Sequence, residues 1–284
     1  ERRSDMDFLE FIVRRKMVLV AFLLLVTILV VTALAPFIAP FDPGLLDVQN
    51  RLQDPGAQHL FGTDHFGRDV LSRVIFGSRI TLLLGLSISV FAVVFGVPIG
   101  VLSGYFDPVG MVAMRIVDAA MAFPAIMMAL ALMTILGGRG VTNVIIAVGI
   151  VWAPRMVRTV YSSTLSIKEE TYVESARAVG ASSGRILARH VVVNLLSPVI
   201  VQATFTFAFS IMEVAALNFL GVGIPPYIPS WGGMMSEARN YILVAPWMIG
   251  FPGLFLALSV LSFNIIGDAF RDRLDPKLRN EQIA

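Results

Sequence analysis

Six long apolar runs, separated by polar stretches, limit what this chain can fold into. The runs cover residues 17–35, 80–102, 112–136, 141–160, 191–220 and 247–267. An α-helix needs about 20 apolar residues to cross the hydrocarbon layer of a bilayer, and the runs are close to that length or longer. Charged residues make up only 15% of the sequence, whereas soluble domains carry about 25%. The pattern predicts an all-α membrane protein with six transmembrane helices.

The polar stretches define the expected layout and its orientation. Most of the 22 lysines and arginines fall in alternate stretches, and such residues concentrate on the cytoplasmic side. We therefore expect both termini to be cytoplasmic. The layout has a cytoplasmic arm at 1–16, a six-span domain at 17–267 and a cytoplasmic tail at 268–284. Within that domain, the sequence predicts outside loops at 36–79 and 221–246 and a cytoplasmic loop at 161–190.

The beginning of the chain carries two further expectations. It starts at Glu1 rather than at a methionine, so we expect a short native N-terminus to precede it. The first apolar run is longer than the 7–15 residues that are usual for a signal peptide. We therefore expect this run to be an uncleaved membrane span.

The loop at 161–190 is too polar to span a membrane and regular enough to be helical. Acidic residues precede basic ones along it, an order that suits the dipole of a helix. Gly180 near its middle indicates a bend or a C-terminal cap, and Ser182 or Ser183 could cap a second helix. The residues alone leave partner docking and simple solvation equally open.

The same loop carries a family resemblance. Glu174-Ser175-Ala176, followed three residues later by Gly180, resembles the EAA loop of permease subunits of binding-protein-dependent ABC importers. The first outside loop resembles the GTDxxGRDxxSR segment of the dipeptide/oligopeptide/nickel branch, and the whole chain is most similar to C-type dipeptide permeases. Two departures are Ser175, where the family has alanine, and Val193, where it often has proline.

The resemblance implies a type I ABC importer permease-like bundle whose coupling helix docks on a separate ATPase. The docking residues that it implies are Glu174, Ala176, Arg177, Gly180, Ser182 and Arg185. The implied function is ATP-driven import of short peptides, with nickel chelates or glutathione as alternative substrates. The implied partners are a second, homologous permease, two ABC ATPase subunits that hold the ATP and magnesium, and an extracytoplasmic substrate-binding protein. The implied location is the bacterial inner membrane. No nucleic-acid partner and no enzymatic activity of this chain are expected.

Polar residues inside the apolar runs are candidates for the translocation path, because charges within a bilayer are costly. Glu213 either lines that path or bonds the partner permease, and Ser210 and Asn218 share its run. Arg115 and Asp118 are three residues apart, so we expect them to neutralise each other.

The two outside loops are expected to face the substrate-binding protein, because the corresponding loops do so in the family that this chain resembles. Their candidate residues are Asp64, Arg68, Asp69 and Trp231. Aromatic anchoring at the membrane interface and ordinary turns account equally well for any single one of them.

Other function classes have little support in the sequence. The chain has no cysteine and no GxxxxGK[ST] motif, so thiol chemistry is excluded and any ATP hydrolysis belongs to another chain. The three histidines are scattered, and no metal site is expected. Residues 180–184 match the G-x-S-x-G pattern of serine hydrolases, but no strand is expected before them. A self-sufficient secondary transporter is a further alternative, against which stands the lack of an obvious duplicated half.

Overall fold

The computed structural model describes residues 15–274. Its main helices are α1 (Lys16–Ala33), α2 (Val70–Tyr105), α3 (Asp107–Ala122), α4 (Ala125–Ile135), α5 (Val141–Lys168), α6 (Thr171–Ala178), α7 (Leu196–Phe219), α8 (Trp231–Ala238) and α9 (Trp247–Leu274). Shorter helical turns lie at Ala35–Ile38, Val48–Asn50 and Arg239–Tyr241 and between α6 and α7. The predicted arm and tail lie mostly outside the described residues.

Five of these helices (α1, α2, α5, α7 and α9) are long and apolar enough to cross a membrane. The third predicted span is different, because α3 and α4 together have the necessary length but meet at an angle of 97°. Phe123 and Pro124 separate them, and a proline disfavours helical backbone in the residue before it. Counting the bent pair as one span gives the predicted six. The all-α prediction is confirmed for residues 15–274, where the only β pairing is one isolated bridge.

Close packing of α2 on α5 forms the centre of the bundle. Gly96, Gly100 and Gly104 lie along one face of α2. A Cβ atom added to Gly100 would lie 2.7 Å from Val160 Cβ, and one added to Gly104 would lie 2.6 Å from Thr164 Cβ. The helix axes can approach closely because these side chains are absent. The prediction that this glycine spacing serves packing is confirmed.

The helix α2 begins at Val70, ten residues before the start of the predicted span, so the loop predicted at 36–79 is shorter than expected. Asp69 caps the helix, because its carboxylate accepts a hydrogen bond of 2.7 Å from the Ser72 amide. The first ten residues of α2 are polar in part and hold Arg73 and Arg79. The sequence pattern predicts a loop here, because it measures apolar length and not helix length.

Polar contacts define the two ends of the bundle. At one end, Arg15 lies 2.5 Å from Asp272 and Lys168 lies 2.9 Å from Asp107. We call this the terminal end, because the described chain starts and stops here. The segment between α5 and α7 lies at the same end. At the opposite end, the Gly140 amide donates to the Gly223 carbonyl, and the two long loops predicted to be outside lie there.

Candidate functional site

Residues 169–190, which we call the docking segment, form a helix–turn–helix at the terminal end. Two apolar side chains hold it to the bundle: Val173 is fully buried and Ile186 is 1% exposed. Both belong to a buried cluster with Met156 and Val160 of α5 and with residues of α2. The segment therefore rests directly on the close-packed centre of the fold.

The opposite face of the docking segment is exposed among residues 15–274. Among the six predicted docking residues, the four that have polar or charged side chains are all exposed. They are Glu174, Arg177, Ser182 and Arg185. Ala176 is half-buried and packs partly against the cluster beneath. The apolar side chain of Val179 is 85% exposed at the tip of the turn. A surface with charged groups around an exposed valine suits contact with another protein.

Gly180 ends α6 in a Schellman turn. Its amide donates to the Arg177 carbonyl, and the Ala181 amide donates to the Ala176 carbonyl, both at 3.0 Å. Gly180 has φ of +84°, a left-handed conformation that glycine adopts without strain. An added Cβ would meet no atom within 4 Å, so backbone conformation and not space requires glycine here. The predicted C-terminal cap is confirmed.

The second half of the docking segment differs in detail from expectation. Ser182 occupies the N-cap position of the Ser183–Ile186 turn, but its side chain makes no capping hydrogen bond. The backbone then widens into one π-helical turn at Leu187–Val191 and continues through Val192–Asn194 towards α7. Because valine and not proline stands at 193, no ring interrupts the helical backbone here.

The G-x-S-x-G match at 180–184 lies in this turn between two helices. A nucleophile elbow requires a strand followed by a helix, and the preceding element here is α6. The match therefore has no structural support as a hydrolase motif.

A buried network of charges joins the two long loops at the opposite end. Arg68 contacts Asp64 and Glu237, each at 2.5 Å. Arg73 completes the set, at 3.3 Å from Glu237 and 3.7 Å from Asp64. Two cations thus face two carboxylates, and the net charge of the network is zero. It ties the first loop and the start of α2 to α8.

The four residues expected to face a binding protein do not present their side chains to solvent. Asp64, Arg68 and Asp69 are buried, and Asp69 bonds His59 as well as capping α2. Trp231 is fully buried, and its indole donates to the Val74 carbonyl at 2.9 Å. The polar groups of these four are used within the chain, and their assignment to a loop that faces a binding protein stays a prediction. A contact by exposed parts of the same loops stays a prediction.

Glu237 is the member of this network that sequence reasoning missed. It lies 169 positions from Arg68 in the chain, and no local pattern signals the pairing. Asp64, His65 and Glu237 also bring ligand-type atoms within 4.8 Å of one another. Arg68 and Arg73 already neutralise both carboxylates, so the arrangement is an ion-pair network. Burial lowers the pKa of the His65 imidazole, which favours its neutral form beside two arginines.

The polar residues predicted for the translocation path divide into two groups. Ser210 is buried and donates to the Phe207 carbonyl of its own helix. Asn218 is buried and accepts from the Ile224 amide at 2.6 Å, so it fixes the start of the loop after α7. Neither side chain is available to line a path. Glu213 is half-buried, and its Oε1 atom has no hydrogen-bond partner among the described residues.

The predicted pair of Arg115 and Asp118 is wrong. Asp118 forms its ion pair with Arg158 of α5 instead. A spacing of three residues permits contact along one helix, but a neighbouring helix offers a cation to the same carboxylate. The ion pair therefore joins α3 to α5.

Comparison with known proteins supports the fold and the family. Residues 96–280 match the family described as "Binding-protein-dependent transport system inner membrane component", and residues 7–55 match the "N-terminal TM domain of oligopeptide transport permease C". In solved structures, the chain is similar to the MetNI methionine ABC transporter in inward-facing conformations. The TM-score is 0.60 at 19% identity, over 72% of this chain and 96% of that one.

Curated relatives extend the match over nearly the whole chain. The dipeptide transport system permease protein DppC of Alkalihalophilus pseudofirmus is 40% identical, over 94% of this chain and 88% of the relative. The glutathione transport system permease protein GsiD of Escherichia coli O1:K1 / APEC is 41% identical, over the same shares of the two chains. The resemblance seen in the EAA loop is confirmed. The chain belongs to the family of inner-membrane components of binding-protein-dependent transport systems.

Proposed function

We propose that this chain is one permease subunit of an ATP-driven importer of short peptides. The observation that carries the proposal is the docking segment. Its outer face is exposed and charged, and its inner face is fixed to α2 and α5 through Val173 and Ile186. A surface of this kind can receive a push from an attached protein and pass it to the membrane helices.

The stiffness of the connection supports this role. The short helix α6 is closed by the Schellman turn at Gly180 and seated on fully buried side chains. Packed interiors transmit displacement because they have few voids and low compressibility. A movement of the docking segment would therefore shift α5 and α2 together, and these two helices form the centre of the bundle.

The partners follow from this mechanism. We propose two ABC ATPase subunits, which bind ATP and magnesium, at the terminal end and a substrate-binding protein at the opposite end. A second permease completes the path. The terminal end is then cytoplasmic, both termini are cytoplasmic, and the chain lies in a bacterial inner membrane. The charge distribution supports this orientation, because the docking segment and its flanks are rich in arginine.

The substrate class rests on the relatives and on the permease type. A named dipeptide permease and a named glutathione permease are almost equally similar to this chain. Both substrates are short peptide-like molecules with charged ends. We propose short peptides, with glutathione as the alternative that similarity favours next, and nickel chelates after it.

Reconstitution of the complex in liposomes tests the proposal. With a partner permease, ATPases and a binding protein present, we expect uptake of a labelled dipeptide that requires ATP and the binding protein. Competition by excess glutathione or nickel chelate ranks the alternatives. Uptake by this chain alone, driven by an ion gradient without ATPases, would contradict the proposal and favour a secondary transporter.

A further inference from the structure

Charged and aromatic side chains meet where α5 and α7 pack together within the bilayer-spanning part. The guanidinium of Arg155 lies 4.2 Å from the centroid of the Trp152 ring. That ring stacks on Phe209 of α7, with centroids 5.8 Å apart and planes 10° apart. Glu213 follows Phe209 by four residues and so lies on the same face of α7. We call these four residues the α5–α7 patch.

The polar groups of the patch are not satisfied within the chain. The Oε1 atom of Glu213 and the indole N–H of Trp152 are buried, and neither has a hydrogen-bond partner in residues 15–274. No salt bridge joins Arg155 to Glu213 in the described part of the chain. The nearby pair of Arg158 and Asp118 is closed. An acidic and a basic side chain thus lie next to the stacked rings of Trp152 and Phe209 without bonding each other.

The patch opens at the surface of this chain and continues as a polar line. Arg155 and Glu213 are half-buried, and Phe209 is 37% exposed. Towards the terminal end, Thr159 donates to the Gln202 side chain at 3.1 Å across the same helix pair. Charged side chains rarely face lipid, and they usually face a bundle interior or a water-filled cavity. The open side of the patch therefore suits a polar occupant.

We propose that the α5–α7 patch is a binding station for the charged ends of a peptide in transit. This inference rests on the proposed function and deepens it. Glu213 accepts hydrogen bonds from the peptide ammonium, and Arg155 donates to the peptide carboxylate. Trp152 and Phe209 provide the surface against which an apolar peptide side chain packs. A zwitterionic peptide needs one group of each sign, and Glu213 and Arg155 provide these without bonding each other.

Replacement of Glu213 in the reconstituted complex tests the station. Gln keeps the shape and removes the charge, so we expect Glu213→Gln to reduce dipeptide uptake on the order of tenfold, equivalent to about 1.4 kcal/mol. Co-purification of the ATPases should not change, because Glu213 is remote from the docking segment. Glu213→Asp, which keeps the charge, should recover most of the uptake. Met212→Leu is the control on the adjacent, exposed position and should behave like the unmodified complex.

A photo-crosslinking side chain at position 209 identifies the occupant directly. Capture of labelled peptide during ATP-driven uptake supports the station. Capture of the second permease alone, with or without peptide, would overturn it, because Glu213 would then complete a subunit interface. If the unmodified complex imports peptides but Glu213→Gln does so equally well, this inference fails and the proposed function stands. If the unmodified complex imports no peptide at all, the proposed function itself fails.

Discussion

Replacing Arg68 by methionine should destabilise the protein strongly. Arg68 bridges Asp64 and Glu237 at 2.5 Å each, and all three groups are largely shielded from water. Its loss leaves two carboxylates facing Arg73 alone. Removing one member of a buried ion pair costs about 3–5 kcal/mol, because the remaining charge stays buried without compensation. We expect the thermal midpoint of the detergent-solubilised protein to fall by about 5–10 °C.

Two further variants make the Arg68 prediction specific. Arg51→Met removes an exposed arginine from the same loop and should leave the thermal midpoint unchanged. Adding Glu237→Gln to Arg68→Met removes the excess negative charge, so the double variant should be more stable than Arg68→Met alone. Such non-additivity is the signature of residues in one network. Equal midpoints for Arg68→Met and Arg51→Met would show that the network does not hold the two loops together.

Replacing Gly180 by valine should abolish most transport while leaving the membrane bundle folded. At φ of +84°, a β-branched residue is strained, and such strain costs on the order of 1–3 kcal/mol. The strain weakens the two hydrogen bonds that end α6, so the last turn of the helix frays. Its exposed side chains then no longer have a fixed orientation. We expect uptake and ATPase co-purification to fall together by at least about tenfold, a free-energy change of about 1.4 kcal/mol.

Gly184 provides the matched control for Gly180. It lies in the same segment, is exposed, and has no atom within 4 Å of an added Cβ, but its backbone is helical. Gly184→Ala should therefore retain normal uptake. Gly180→Asn should also retain much of it, because asparagine tolerates the left-handed conformation better than valine does. Normal transport by Gly180→Val would mean that the turn geometry is irrelevant to docking.

The sequence predicts local features of this protein better than long-range ones. The cap at Gly180 and the close packing at Gly100 depend only on residue type and spacing, which the sequence shows directly. The structure confirms both predictions. The predicted ion-pair partner of Asp118 is wrong. Arg115 is the nearest cation along the sequence, but Arg158 of a neighbouring helix is nearer in space. The third apolar run predicts one continuous span, and its length and composition do not indicate the bend of 97° at Pro124.

The outer loops show why burial is the hardest property to predict from polar sequence. Asp64 and Arg68 look like surface residues by type, since charged side chains are seldom buried unless paired. Their pairing depends on Glu237, which belongs to a distant helix. The same limit applies to Asn218, whose amide serves a turn of this chain and not the translocation path.

Cross-linking from Val179 tests the central claim most directly. The native chain has no cysteine, so Val179→Cys introduces a single thiol at the exposed tip of the docking segment. Leu243→Cys, 95% exposed at the opposite end, is the control. We predict that position 179 cross-links to a cysteine in the groove of the ATPase and is shielded from a membrane-impermeant maleimide added outside cells. Position 243 should be labelled from outside and should not cross-link. A position 179 that is labelled from outside, or that never cross-links to the ATPase in a transporting complex, would contradict this account.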